Sequence, residues 1–194
     1  MTPIATPRGN EEETKMTDRE DVVAAVLAAA GGELTGRVRF QKAVYLMERL
    51  GLESGFSFDY HYYGPFSRDI DNAIADAKAF NLVEETIERR QTDGAAYSIF
   101  KFSGEPKPTA YGKLGAVKAA ELARLFAATN VTVLELAATV DWLWRKEKYS
   151  DWKTEIVKRK GVKVGAGRLE QAITLLEKLG LKPPAVSMAG QENK

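Results

Sequence analysis

The chain is 194 residues long, with 44% hydrophobic and 28% charged residues, the balance of an ordinary soluble protein of one large or two small domains. Its 28 basic and 27 acidic residues leave a formal charge of +1, so no global field draws it to nucleic acid or to an anionic membrane; either would need a local patch. Without cysteine there is no disulfide, thiolate nucleophile or Cys-ligated zinc, and the chain suits a reducing cytoplasm, where we expect it.

Residues 1–16 carry two prolines, a glycine and the run Glu11-Glu12-Glu13 without apolar periodicity, the composition of a mobile tail. They lack the apolar centre of a signal peptide. The longest apolar run, Val22 to Ala30, is too short to span a bilayer, so no membrane partner is expected. Thr17 and Glu20 form a capping box before a first helix whose stripe is Val22, Val23, Val26, Leu27 and Ala30, closed by Gly31-Gly32. A second helix covers about Gly36 to Leu50, with Phe40, Ala43, Val44, Met47 and Leu50 at helical spacing. Its first turn is basic through Arg37, Arg39 and Lys42, the wrong sign for the helix dipole. That marks either a functional surface or long stems covering apolar surface with their heads in water.

Phe58 to Tyr63 alternates as a strand, which Gly64-Pro65 should stop. Ser67 is the expected N-cap of a third helix to about Asn81, with Asp69 in its first turn and Ile70, Ala73, Ile74, Ala77 and Phe80 on its buried face. Leu82 to Arg90 and Tyr97 to Ser103 read as strands joined by Thr92-Asp93-Gly94. Two helices, a strand, a third helix and a β-hairpin follow the element order of a winged helix, placed at residues 17–105.

Glu105-Pro106-Lys107-Pro108 reads as a linker. Residues 106–182 then read as helical. One helix covers Gly112 to Thr129. The Thr132–Glu135 capping box opens the next, which runs to about Lys148. Ser150 caps a short third helix, which Gly161 ends. A last helix runs from Arg168 to Leu179, with Leu169, Ala172, Ile173, Leu176 and Leu179 on one face. A flexible polar tail is expected at 183–194. The fold class is α+β and mostly helical: a winged-helix-like N-terminal domain followed by a helical region.

The chemistry is sparse. His61 is the single imidazole, so any Ser-His-Asp arrangement would have to use it. On a strand between Tyr60 and Tyr62 it reads as a structural hydrogen-bonding residue. No spacing suggests carboxylate metal ligands, and no phosphate-binding glycine motif follows a strand. No catalytic residue, metal or cofactor is expected. Gly165-Ala166-Gly167, ahead of the last helix, could hold an anion at the helix N-terminus, but reads first as a flexible turn.

Two basic groups remain. Arg37, Arg39 and Lys42 form one, with Arg68 near it. The other spans Arg145 to Arg168 and holds nine basic residues, among them Arg145, Lys146, Lys148, Lys158, Arg159 and Lys160, against Glu147, Asp151 and Glu155. Trp142, Trp144, Tyr149 and Trp152 are interleaved with it. Basic charge with aromatics is the composition of a nucleic-acid surface. It is also that of a core with inward tryptophans, which Leu143 and Trp144 favour by continuing an apolar helix face. The third helix and following strand carry four basic against six acidic residues, so major-groove reading by that helix is disfavoured.

Arg39-Phe40-Gln41-Lys42-Ala43-Val44-Tyr45-Leu46 followed by Tyr62-Tyr63-Gly64-Pro65-Phe66-Ser67 resembles the YwgA-like family, itself similar to the Panacea (SocA-like) antitoxin domain. There a helix with a Gln-Lys pattern precedes a strand ending in Tyr-Gly-Pro. The resemblance covers about residues 20–103, and Leu169 to Leu181 is weakly similar too. It implies a non-enzymatic module of toxin–antitoxin or phage-defence context. The long helical C-terminal region departs from the Panacea pattern. The expected partner is thus a protein, a toxin or defence-complex subunit, met at Tyr63, Gly64, Pro65, Phe66 and Arg68. Homo-oligomerisation is left open. The alternative is a nucleic-acid-binding regulator using Arg37, Arg39, Lys42 and the basic residues from Arg145 to Lys160.

Overall fold

The computed structural model describes residues 18–184. The expected tail at 1–16, the Thr17 end of the first capping box and the C-terminal tail from 185 onward lie outside the described residues. Helix α1 (Arg19–Ala29) leads through β1 (Glu33–Thr35) to α2 (Arg37–Glu48). A small hairpin, β2 (Asp59–His61) and β3 (Gly64–Phe66), precedes α3 (Arg68–Ala79), and β4 (Val83–Arg89) and β5 (Ala96–Phe102) follow. A 3-10 segment, Pro108–Leu114, opens the helical remainder: α4 (Gly115–Ala128), α5 (Val131–Arg145), α6 (Trp152–Lys160) and α7 (Arg168–Lys178).

The fold is α+β and winged-helix-like at its N-terminal side. Its sheet has the order β1-β5-β4, all antiparallel, with Leu34 opposite Phe100 and Glu85 opposite the same residue from the other side. The strand that completes this sheet is therefore β1, which no periodicity in the sequence marks. Three residues between glycines, with Leu34 alone buried, offer no alternation to read.

The tyrosine-rich stretch does something else. It pairs with Gly64-Pro65-Phe66 in a separate two-stranded sheet, Asp59 facing Phe66, Tyr60 facing Pro65 and His61 facing Gly64. Gly64-Pro65 thus begins the return strand instead of ending the sheet, and the turn falls on Tyr62-Tyr63. Pro65 is tolerated because a two-stranded ribbon leaves each strand an outer edge, where a missing N–H costs no ladder bond. Gly64 is left-handed at φ +86°, which closes the tip at Tyr62-Tyr63.

Several helix ends differ from expectation by chemistry that lies a residue or two away. The α5 cap is Asn130, whose side chain accepts from the Thr132 and Val133 amides, so Thr132 is already helical. Asp151, not Ser150, caps α6 by accepting from the Thr154 amide. Gly112 is left-handed (φ 53°), with its α-carbon so close to the Leu52 carbonyl that a methyl group would collide, and it breaks the expected helix from Gly112 into the 3-10 segment and α4. Phe80 is 63% exposed, off the buried face of α3.

One apolar core runs through the described residues on both sides of position 105. It joins Val26, Phe40, Leu46, Ile74 and Phe100 to Phe126, Leu134, Leu143, Trp152 and Leu176. Helix α5 is buried along nearly its whole length, Val133 to Leu143, and packs on α2, β3, α6 and α7. Beyond α7, Leu181 and Pro183 are still buried.

Candidate functional site

The two motifs that carry the family resemblance touch each other. Gln41, 2% exposed, reaches from α2 to Ser67: its Oε1 accepts from the Ser67 amide at 2.9 Å and its Nε2 donates to the Ser67 carbonyl at 2.8 Å. One side-chain amide thus stands in for a neighbouring strand. The adjacent Lys42, 1% exposed, donates from Nζ to the Pro65 carbonyl at 2.5 Å. On the far side, Lys160 of α6 donates to the Tyr62 carbonyl at 2.8 Å and to Glu135 Oε1 at 2.9 Å. Lys163 binds both oxygens of the same carboxylate, each at 2.9 Å. The hairpin backbone is gripped by buried cations from both sides.

Three ammonium groups around one buried carboxylate are more positive charge than Glu135 can neutralise. Burial pulls Lys42 down to about 7; Glu135 opposes this, while Lys160 and Lys163 add to it. Burial also lowers Lys160, against the pull of its bond to Glu135. Gly64 meets α5 directly: a Cβ there would lie 2.5 Å from Thr139 Oγ1, whose hydroxyl donates to the Glu135 carbonyl at 2.8 Å.

What this scaffold presents is its tip. Tyr62 is 79% and Tyr63 49% exposed, edge to face with ring centroids 5.1 Å apart, and Lys163 Nζ lies over both rings. His61 is exposed and packs on Phe66, centroids 4.7 Å apart. Its imidazole makes no hydrogen bond among the described residues, unlike the structural role expected of it. Val162, beside Lys163, is 90% exposed.

Of the expected partner-binding residues, Tyr63 and Arg68 are therefore at the surface and Phe66 is half-buried. Gly64 and Pro65 are buried and serve to place the tip. Tyr62, the most exposed tyrosine of the tip, was absent from that set. A two-residue turn after an alternating strand is the signal that would have found it.

The basic residues of α2 point inward or along the surface to fixed partners. Arg37 pairs with Asp71 and Glu85, and lies over the Phe100 ring. Burial would raise Glu85, but hydrogen bonds from Lys78, Ser98 and Arg37 hold it at about 2. Arg39 donates to the carbonyls of Thr35 and Thr129. With Lys42 buried, this group offers no row of cations to a phosphate backbone.

The later group divides. Arg159 forms a fork with Glu147 at 2.9 and 2.6 Å, a further bond to Glu155, and a stack over Tyr60 at 4.5 Å; Lys160 is buried. Both are structural. Lys158 is exposed, 3.8 Å from Glu155. Trp142 and Trp152 are buried, and Trp144 packs half-buried against the core. Arg145, Lys146 and Lys148 instead gather with Arg49 at a cavity of about 300 Å³ walled by Tyr45.

Among the described residues no three His, Asp or Glu side chains converge as metal ligands would, and no helix is long and apolar enough to cross a membrane. No protein-family model matches the chain. It is similar to the uncharacterized protein YwgA of Bacillus subtilis (strain 168), with 27% identity over 59 residues. That match spans 30% of this chain and about a third of YwgA, 36% of its length.

Proposed function

We propose that the chain is a non-enzymatic binding module that meets a protein partner through the tip of the β2–β3 hairpin. One observation carries this reading: Lys42 and Lys160 hold the hairpin carbonyls from inside, while Tyr62 and Tyr63 stand in solvent. A tip held this way loses little conformational freedom on binding, and tyrosine supplies large contact area for few rotatable bonds. Exposed aromatic side chains on a rigid support are the usual energetic centre of a protein interface. The resemblance of the Gln41-Lys42 and Tyr63-Gly64-Pro65 motifs to the YwgA-like and Panacea patterns supports an antitoxin-like or defence-associated adaptor, with a toxin or defence-complex subunit as partner.

The test is binding to the product of the adjacent gene, measured by calorimetry. Tyr62→Ala/Tyr63→Ala should weaken the complex by about tenfold or more, as loss of an aromatic anchor does, with an unchanged melting temperature. Equal affinity for the double variant would remove the hairpin tip from the interface.

A further inference from the structure

A second site lies at the cavity where the C-terminal ends of α2 and α5 meet. Arg49 is the C-cap of α2, Arg145 the last residue of α5 and Lys146 its C-cap, and Lys148 follows two residues on. Cations at helix C-termini are ordinary, since each terminus carries about half a negative charge. The balance here goes beyond that need. Four cations line the cavity with Tyr45. Against them stand two helix ends and the single carboxylate of Asp141, fully buried beneath. That leaves a surplus of about two positive charges. Glu147, next in sequence, does not reduce it, because Arg159 and the Trp142 indole already occupy its carboxylate.

The cations are also under-used. Tyr45 donates its hydroxyl to Asp141 Oδ2 at 2.6 Å. Arg49 Nε lies 3.2 Å from the same oxygen and Arg145 Nε 3.1 Å from Oδ1, yet neither contact is aligned as a hydrogen bond. Asp141 therefore steers the two guanidinium groups without saturating them. Their terminal nitrogens, and the ammonium groups of Lys146 and Lys148, have no partner among the described residues. Lys148 is left-handed at φ +61°. A helix end of this kind favours glycine, so a lysine here is a local cost that places a charge at the cavity mouth.

We propose that this cavity binds a phosphate monoester, whose dianionic charge matches the surplus and whose oxygens fit two guanidinium forks. The phosphate comes either from a free nucleotide or from the 5′ end of a nucleic-acid strand. The site stands apart from the hairpin tip, so it does not depend on the partner reading above.

Inorganic phosphate is the first probe, followed by calorimetry and thermal unfolding at constant ionic strength. It should raise the melting temperature, and sodium sulfate or chloride at equal ionic strength should do so less. Lys146→Ala/Lys148→Gly should weaken phosphate about tenfold or more, since each lost charge-assisted contact is worth about tenfold. The Asp141 pairing stays intact in that variant, and the glycine relieves the left-handed position, so without ligand it should melt no lower than the parent. Adenosine 5′-monophosphate and a short oligonucleotide with or without a 5′-phosphate then separate the two sources. Displacement of phosphate by either phosphorylated probe supports the site and names its source, and displacement by neither overturns it. Stabilisation by all anions alike, or affinity indifferent to the double variant, overturns it.

Discussion

Gly64 and Lys42 hold the hairpin from opposite sides and illustrate two different constraints. Gly64 combines a left-handed backbone with contact against α5, where a Cβ would come within 2.5 Å of Thr139 Oγ1. We expect Gly64→Ala to cost about 2–4 kcal/mol, the sum of backbone strain and overpacking. Adding Thr139→Ala should recover the overpacking share only, as read from denaturant midpoints; full recovery would mean the backbone carries no strain. Lys42 is held down at about 7 by burial, against an ordinary value of 10.5. Between these values the unfolded chain binds more protons than the folded one, so Lys42 makes stability rise with pH. Below about 7 both states are protonated and the cost of burying the charge is felt in full. Melting temperature from pH 7 to 9 should therefore climb less in Lys42→Met than in the parent, with part of the slope kept by Lys160, which burial also lowers. Parallel profiles would show that Lys42 keeps its proton throughout.

At the scale of elements, α2 is the one that organises the hairpin. Its apolar side enters the core, while Gln41 and Lys42, side by side in sequence, bind the backbone at Ser67 and Pro65. Ser67 opens α3, so the same two residues set the entry of that helix. Ser67 Oγ forms no cap and lies buried without a partner, which leaves Gln41 as the group that satisfies this junction. Gln41→Leu, of similar volume, strands a buried N–H and a buried C=O. We expect a loss of about 2–4 kcal/mol from two unmade bonds. Faster hydrogen exchange at the Ser67 amide should accompany it. A shift in stability below about 0.5 kcal/mol would mean that water replaces the side chain.

For the whole molecule, the decisive fact is one core shared by the winged-helix-like region and the helices after it. Helices α1 and α2 bury side chains against α4 and α5, and the hairpin rests on α5 and α6. A fragment ending at residue 105 would expose that apolar surface and leave Lys42 without the charge of Glu135. We expect it to show no cooperative thermal transition, whereas the full chain should unfold in a single step by calorimetry; a folded fragment would show two independent cores. Periodicity in the sequence was enough for the seven α-helices among the described residues, the β4–β5 hairpin and the mostly helical α+β class, because apolar spacing at 3.6 or two residues is a local property. It was not enough for β1, whose three residues become a strand only by pairing with β5, sixty-odd positions away. Nor could it separate a lysine that solvates a surface from one that holds a buried carbonyl: Lys42, Lys158 and Lys160 look alike in a string of residues. Their roles differ because burial is a property of what packs around a side chain, and at this hairpin those neighbours come from α2, α5 and α6, brought together only when the chain folds.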